Sequence, residues 1–481
     1  MNLHRDILRL AVPSILANIT VPLVGMVDIA VAGHLGAAGG MGAAALIGGI
    51  SIGTMLFDML YWNFGFLRAG TGGLAAQAYG RLRGLCPLLS PAAFGRAPDG
   101  AWMTHRTQAI ESACADITVT LRRALGIALA SGLSMVALQW VVVQVAFLLV
   151  KCTPEVRELA TQYFYIRIWA APATLSLFAF KGWFIGMQDT VRPMICDLLV
   201  NAVNIGLSIG LAFGYAGLPA LGFRGIAFGT LIAQWTGFLY ASLAVWRRYG
   251  SLFKAHAQPT ESHGWRDFFV LNRDLFLRSV CMIAVYIGFT MISARYGDMM
   301  LAVGAILMKL LMIFSYFTDG FAYAGEALTG RFIGEGSPDG VRSTIRQTFL
   351  WSLGVTVLFF LVYGVGGVPL LRLMTSDPSV VEAGREFIPW LLLMPVIGCP
   401  AFTWDGIFTG ATASKDLRNS TVWCVVGFFG VWFAGLGLLK AILGTVPETS
   451  AIHLLMAAYF THLFVRALYL TLRWRKAVPY A

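Results

Sequence analysis

Apolar residues run in twelve long stretches separated by short polar segments, at about 6–33, 42–79, 119–149, 160–187, 194–215, 222–246, 274–297, 300–333, 341–366, 382–410, 418–443 and 450–473. A helix crosses the hydrocarbon core of a bilayer with about 20 apolar residues, so each stretch predicts a membrane-crossing helix. The longest are predicted to tilt or to protrude into water. The first stretch imitates a secretory signal, with His4, Arg5 and Arg9 ahead of an apolar run and Ala30-Val31-Ala32 as a cleavage-like site. Asn18 and Asp28 interrupt that run, so it is read as a retained first helix.

Composition agrees with the pattern. With 58% hydrophobic and 12% charged residues and a mean hydropathy of +0.72, a soluble globular protein is excluded. The net charge of +11 points to basic cytoplasmic loops rather than to nucleic acid. Loops assigned to the inside carry Arg81, Arg83, Arg122, Arg123, Arg192, Arg247, Arg248, Arg342, Arg346 and Arg418, and the tail adds Arg473, Arg475 and Lys476. That bias predicts both termini in the cytoplasm of a multi-pass inner or plasma membrane protein, in contact with lipid and monomeric. The seven cysteines are scattered without a Cys-x-x-Cys pair or metal-ligand spacing, so neither a disulfide framework nor a metal site is expected. The chain lacks the Gly-x-x-x-x-Gly-Lys-Ser/Thr loop of an ATP-driven pump and the His-Glu-x-x-His and Gly-x-Ser-x-Gly motifs of hydrolases. No enzymatic activity and no cofactor are therefore expected.

The two halves repeat. Phe66-Leu67-Arg68-Ala69-Gly70 matches Gly320-Phe321-Ala322-Tyr323-Ala324. Pro154-Glu155-Val156-Arg157-Glu158 matches Pro378-Ser379-Val380-Val381-Glu382, and Gly182-Trp183-Phe184-Ile185-Gly186 matches Gly406-Ile407-Phe408-Thr409-Gly410. Six crossings per half keep equivalent helices in one orientation, so the repeat is parallel. The predicted fold is an all-α polytopic membrane protein with two pseudo-symmetric six-helix lobes. Residues 1–248 form the first lobe, 249–273 a cytoplasmic connector and 274–481 the second lobe. The offset falls from 254 to 224 between these matches, which places an insertion of about 30 residues in the first half, at about 83–116. Residues Gln108 to Asp116 are expected to extend the third helix. Two like bundles suggest alternating access.

Asp28 is the candidate at the centre. An intramembrane carboxylate costs about 2.5–3.5 kcal/mol on insertion scales and usually faces an aqueous cavity or ion path. Pro22 lies six residues earlier, removes a backbone donor and is the expected hinge. Asp197, Asn201, Asn204 and Ser208 recur at i, i+4, i+7 and i+11, one helical face able to meet Asp28. Interhelical hydrogen bonding explains such a stripe equally well. In the second half Lys309, Asp319, Glu326 and Asp405 are the costly residues. Lys181 stands where the repeat puts Asp405, so a structural Lys–Asp pair across the halves is the alternative. Tyr61, Trp62, Phe289 and Tyr316 are the aromatic candidates for contact with a greasy cation.

Asp28 followed by Gly33-His34-Leu35-Gly36, Phe66 to Thr71 ending Gln77-Ala78-Tyr79-Gly80, Asp319-Gly320-Phe321-Ala322 ending Glu326-Ala327-Leu328, and Asp405-Gly406-Ile407-Phe408 form a specific combination. Together they resemble the multidrug and toxic compound extrusion (MATE) family, and within it the DinF branch. The resemblance spans the chain apart from the insertion. It implies a secondary active antiporter that exports cationic or amphipathic organic compounds, with the first-helix acid, here Asp28, as the proton or cation site. Family members often carry an acid where Ser208 ends Asn204-Ile205-Gly206-Leu207-Ser208, and its loss favours protons over sodium. The alternative within the same superfamily is a lipid-linked oligosaccharide flippase or an organic-anion exporter. A flippase needs a basic cavity for pyrophosphate, whereas the candidate residues are mainly acidic and amide.

Overall fold

The computed structural model describes residues 3–38, 42–85, 103–149, 152–254, 265–296, 298–375 and 377–480. Its helices are α1 (Leu3–Ala38), α2 (Ala43–Trp62), α3 (Gly65–Leu85), α4 (Met103–Ala137), α5 (Gln139–Leu149), α6 (Pro154–Arg167), α7 (Ala171–Gly186), α8 (Val191–Phe213) and α9 (Phe223–Tyr249). The chain continues with α10 (Trp265–Ser293), α11 (Asp298–Gly334), α12 (Pro338–Met374), α13 (Pro378–Arg385), α14 (Ile388–Gly410), α15 (Ser414–Leu443) and α16 (Glu448–Ala477). Among the described residues twelve helical stretches are long and apolar enough to cross a membrane, in register with the twelve apolar runs. The backbone has no water to bond to at that depth, so helices satisfy their own N–H and C=O groups.

The third crossing departs from the expected 119–149. It starts earlier, because α4 begins at Met103, and a turn at Leu138 separates it from α5. Hydrogen bonding still carries across that turn, from Leu138 N to Ser134 O at 2.9 Å and from Val142 N to Leu138 O at 3.0 Å. The extension of α4 is packed rather than loose. Asp116 is buried and pairs with Arg81 of α3 at 3.1 Å, and the Trp183 indole of α7 donates to Ile117 O at 3.1 Å. The proline-rich part of the insertion, 86–102, and residues 255–264 of the connector lie outside the described residues.

The helices fall into two compact units, residues 16–262 and residues 1–15 with 263–481. In the first, Tyr79, Ile117, Trp183, Phe184 and Tyr249 pack in one core. In the second, Phe289, Phe314, Phe359, Phe387 and Tyr459 do so, and the Tyr363 hydroxyl donates to Leu310 O at 2.6 Å.

The repeat is visible in the backbone. Thr153 caps α6 ahead of Pro154, and Asp377 caps α13 ahead of Pro378. Gln188 and Thr412, both just past a helix end and 224 residues apart, adopt left-handed φ angles of 59° and 56°. Gly182 lies against the Arg68 carbonyl and Gly406 against the Ala322 carbonyl, so that a Cβ at either would collide with backbone. These glycines let α7 meet α3, and α14 meet α11, at backbone contact. Gly406→Ala is therefore expected to destabilise the second unit by about 1–3 kcal/mol. Gly354→Ala, where a Cβ meets nothing within 4 Å, should be neutral or slightly stabilising. Thermal unfolding of both variants in one detergent checks the contrast.

Candidate functional site

Asp28 sits inside α1, and that helix runs unbroken through Pro22. The Asp28 side chain is buried, with 4% of the residue exposed, and among the described residues its Oδ1 has no hydrogen-bond partner. The groups that bear on its charge are the Arg167 guanidinium and the Ser208 hydroxyl. Ser208 is fully buried against Gly229 of α9, where a larger side chain on either helix has no room, and its Oγ donates to Ile226 O at 3.5 Å.

Arg167 is the last residue of α6 and lies within the membrane-crossing run Pro154–Gly186. Its Nη1 donates to the Tyr163 hydroxyl at 3.0 Å and to Thr54 Oγ1 at 3.5 Å. Its Cζ lies 4.7 Å from the centre of the Phe57 ring and 5.5 Å from that of Tyr163, within cation–π range. Phe57 is itself stacked on Phe164 at 4.9 Å. The carboxylates whose charge bears on Arg167 are Asp28 and Asp58, the latter exposed on α2. The Tyr61 hydroxyl and Thr174 Oγ1 are both buried, and among the described residues neither meets the geometry of a full hydrogen bond.

The polar face of α8 does not act as one patch. Ser208 faces Asp28, whereas Asn204 Nδ2 donates to Thr230 Oγ1 at 2.9 Å. Asn201 Nδ2 donates to Thr20 Oγ1 at 2.8 Å, two helical turns before Asp28 on α1. Asp197 pairs with Lys181 Nζ at 2.6 Å. Lys181 and Asp405, which the repeat places at equivalent positions, each have an ion-pair partner within their own unit.

In the second unit Asp405 joins two arginines. Arg278 Nη2 of α10 lies 2.6 Å from Oδ2, and Arg466 of α16 donates from Nε to Oδ1 at 3.0 Å and pairs through Nη2 with Oδ2. Arg466 is nearly fully buried, packs over the Phe402 ring at 5.6 Å and is influenced by the charge of Asp319. Asp319 accepts from Ser315 Oγ at 3.4 Å, while Lys309 is exposed on α11. Glu326 is buried.

The aromatic candidates separate. Tyr61 is buried beside Arg167 and Trp62 is exposed. Tyr316 is half-buried on α11. Phe289 is a core residue, edge-on to Tyr459 at 5.6 Å, because α10 turns that face into the second unit. Arg167, Asp58, Arg278 and Arg466 escaped the reading of the sequence. Each is an ionisable residue inside or at the rim of an apolar run, and that signal alone would have found them.

The MatE family model matches residues 114–209 and 275–431. The chain is 32% identical over 476 residues to the DNA damage-inducible protein F of Escherichia coli (strain K12), covering 97% of this chain and 91% of that one. It is 24% identical over 314 residues to a probable multidrug resistance protein NorM of Thermotoga maritima, covering 61% of this chain and 65% of that one. In fold it resembles a crystal structure of MATE in the bent conformation, with a TM-score of 0.74 at 15% identity over 98% of this chain and 96% of that one.

Proposed function

The chain belongs to the MatE family, and from that premise we propose that it is a secondary active antiporter exporting cationic or amphipathic organic compounds in exchange for protons. The observation that carries this reading is the Asp28 carboxylate, buried inside a membrane-crossing helix with one oxygen lacking a hydrogen-bond partner among the described residues. A carboxylate at that depth with no ion pair among the described residues is costly, which supports a functional role.

Asp28 takes up a proton from the outside and gives it up to the inside, with both termini in the cytoplasm. Proton uptake neutralises the site and releases a bound organic cation; proton loss restores the negative charge. Pro22 supplies the point at which α1 bends, because its ring removes one donor from the helix ladder. Tyr61 and Trp62 are the aromatic surfaces offered to the substrate from α2, and Tyr316 from α11. The membrane is the inner or plasma membrane, and the working unit is a monomer.

Protons rather than sodium drive the exchange. A sodium ion needs several oxygen ligands in place of its water, and α8 offers Asp28 only the hydroxyl of Ser208. In proteoliposomes loaded with a cationic dye, an imposed pH gradient should drive efflux, and sodium at fixed pH and voltage should leave the rate unchanged. Strong sodium stimulation under those conditions contradicts the proton reading. The organic-anion alternative is favoured by Arg167, a guanidinium inside a membrane-crossing run whose hydrogen-bond partners are neutral, the Tyr163 hydroxyl and Thr54 Oγ1. It is tested in the same vesicles by replacing the dye with an organic anion.

A further inference from the structure

We propose, on the reading of the chain as an exporter of amphipathic organic compounds, that the open Nε–Nη2 edge of Arg167 is a subsite for a carboxylate. The compounds it selects carry that carboxylate beside a flat aromatic body, as organic anions or zwitterions.

Arg167 closes α6, where a short helical turn, Ile168–Ala170, leads into α7. It is half-buried inside the membrane-crossing run Pro154–Gly186. A guanidinium holds its N–H donors in one fixed plane and does not give up its charge. Of its nitrogens, Nη1 is engaged by the Tyr163 hydroxyl at 3.0 Å and by Thr54 Oγ1 at 3.5 Å. Among the described residues Nε and Nη2 donate to nothing, and neither atom is sealed from its surroundings. The plane lies over Phe57 at 4.7 Å, and Phe57, Tyr163 and Phe164 are fully buried. The guanidinium is thus fixed by one corner and one face, and its remaining edge is left for a ligand.

Arg466 shows what that edge does where an acid is at hand. Its Nε donates to Asp405 Oδ1 at 3.0 Å and its Nη2 pairs with Oδ2, the two-pronged grip of a guanidinium on a carboxylate. In the first unit Lys181 is met by Asp197 and Arg81 by Asp116. Among the described residues Arg167 has no carboxylate within ion-pair distance, so its fork has no resident acid to grip. One guanidinium balances one negative charge. A carboxylate is neutralised there, whereas a phosphate dianion keeps a net charge inside the bilayer. The walls select the rest of the ligand. Thr54, Phe57 and Tyr61 recur at i, i+3 and i+7, one face of α2. The Phe57 and Tyr61 rings lie 5.4 Å apart, so an aromatic surface stands beside the charge.

Rhodamine B and its ethyl ester test the subsite, because they share one cationic aromatic body and only rhodamine B carries a free carboxylate. Binding of each dye to the purified full chain in detergent is read by fluorescence anisotropy. The wild type should bind rhodamine B at least as tightly as the ester. Arg167→Gln should weaken rhodamine B about tenfold or more, the scale of one lost charge-assisted hydrogen bond, and leave the ester within about twofold. Arg167→Lys, which keeps the charge without the fork, should fall between the two for rhodamine B. Should the Gln variant fail to fold, Arg167→Met removes the fork without a buried amide and is read in its place. Equal weakening of both dyes makes Arg167 a packing residue and overturns the proposal. So does an unchanged affinity for rhodamine B. A wild type that binds the ester but not rhodamine B overturns it as well, because an acid of the chain then fills the fork. Transport is read separately, as efflux of the ester from proteoliposomes under an imposed pH gradient. Absence of that efflux counts against the parent reading, while efflux beside an unselective Arg167→Gln sinks only the present inference.

Discussion

Asp28→Asn is expected to abolish proton-coupled export while the protein still inserts and folds. The amide has nearly the size of a carboxyl and its polarity resembles the protonated form, so the packing of α1 against the Ser208 face of α8 should survive. The amide cannot release a proton or present a negative charge, so the site is held in its neutral state. A bound cation then finds no carboxylate at this position. Fold is retained because removing a carboxylate without a contact ion pair strands no paired cation. Asn201→Ala should weaken transport much less. It deletes the hydrogen bond to Thr20, an interaction worth about 0.6–2 kcal/mol in membranes, and leaves the titrating group in place. Efflux under an imposed pH gradient, at equal amounts of reconstituted protein, separates the two variants.

The largest expected effect on stability falls in the other unit. Asp405→Asn leaves Arg278 and Arg466 facing each other without the carboxylate that both contact. Breaking a buried pair by removing one partner costs about 3–5 kcal/mol, because the stranded charge keeps its desolvation penalty. Here one carboxylate serves two guanidinium groups, and Arg466 is 2% exposed. The folded fraction in detergent should fall sharply and the midpoint of thermal unfolding should drop by several degrees. Adding Arg278→Gln should recover part of the loss, since Arg466 then retains the charge of Asp319. A double variant no more stable than Asp405→Asn would mean that the network is not held by charge balance.

The fold was legible because the bilayer imposes one rule on every crossing. Each run from Leu3–Leu35 to Glu448–Ala477 had to be apolar enough to be read directly. The repeat was legible in a few strings, and the backbone explains why those survived. Gly182 and Gly406 admit no side chain against the Arg68 and Ala322 carbonyls. Pro154 and Pro378 follow capping residues at equivalent helix starts. The interactions within the lobes were less legible. The i, i+4, i+7, i+11 spacing put Asp197, Asn201, Asn204 and Ser208 on one face. Eleven residues of helix rise about 16 Å, however, enough to meet a different neighbour at each turn. Lys181, Thr20, Thr230 and Asp28 take the four positions in order. Arg167 shows the same limit from the other side. Its hydrogen-bond partners are Tyr163 on its own helix and Thr54 on α2, and its ring contact Phe57 is also on α2, so only the packing of the two helices shows how it is held.

The most direct test of the account is a count of protons. Purified protein in weakly buffered detergent near neutral pH is mixed with saturating ethidium, and the proton release per molecule is read from a pH indicator. If Asp28 carries the exchanged proton, the wild type releases up to one proton on binding and Asp28→Asn releases none. Equal release from Asp28→Asn would contradict the account and move the proton site to Asp319, Glu326 or Asp58.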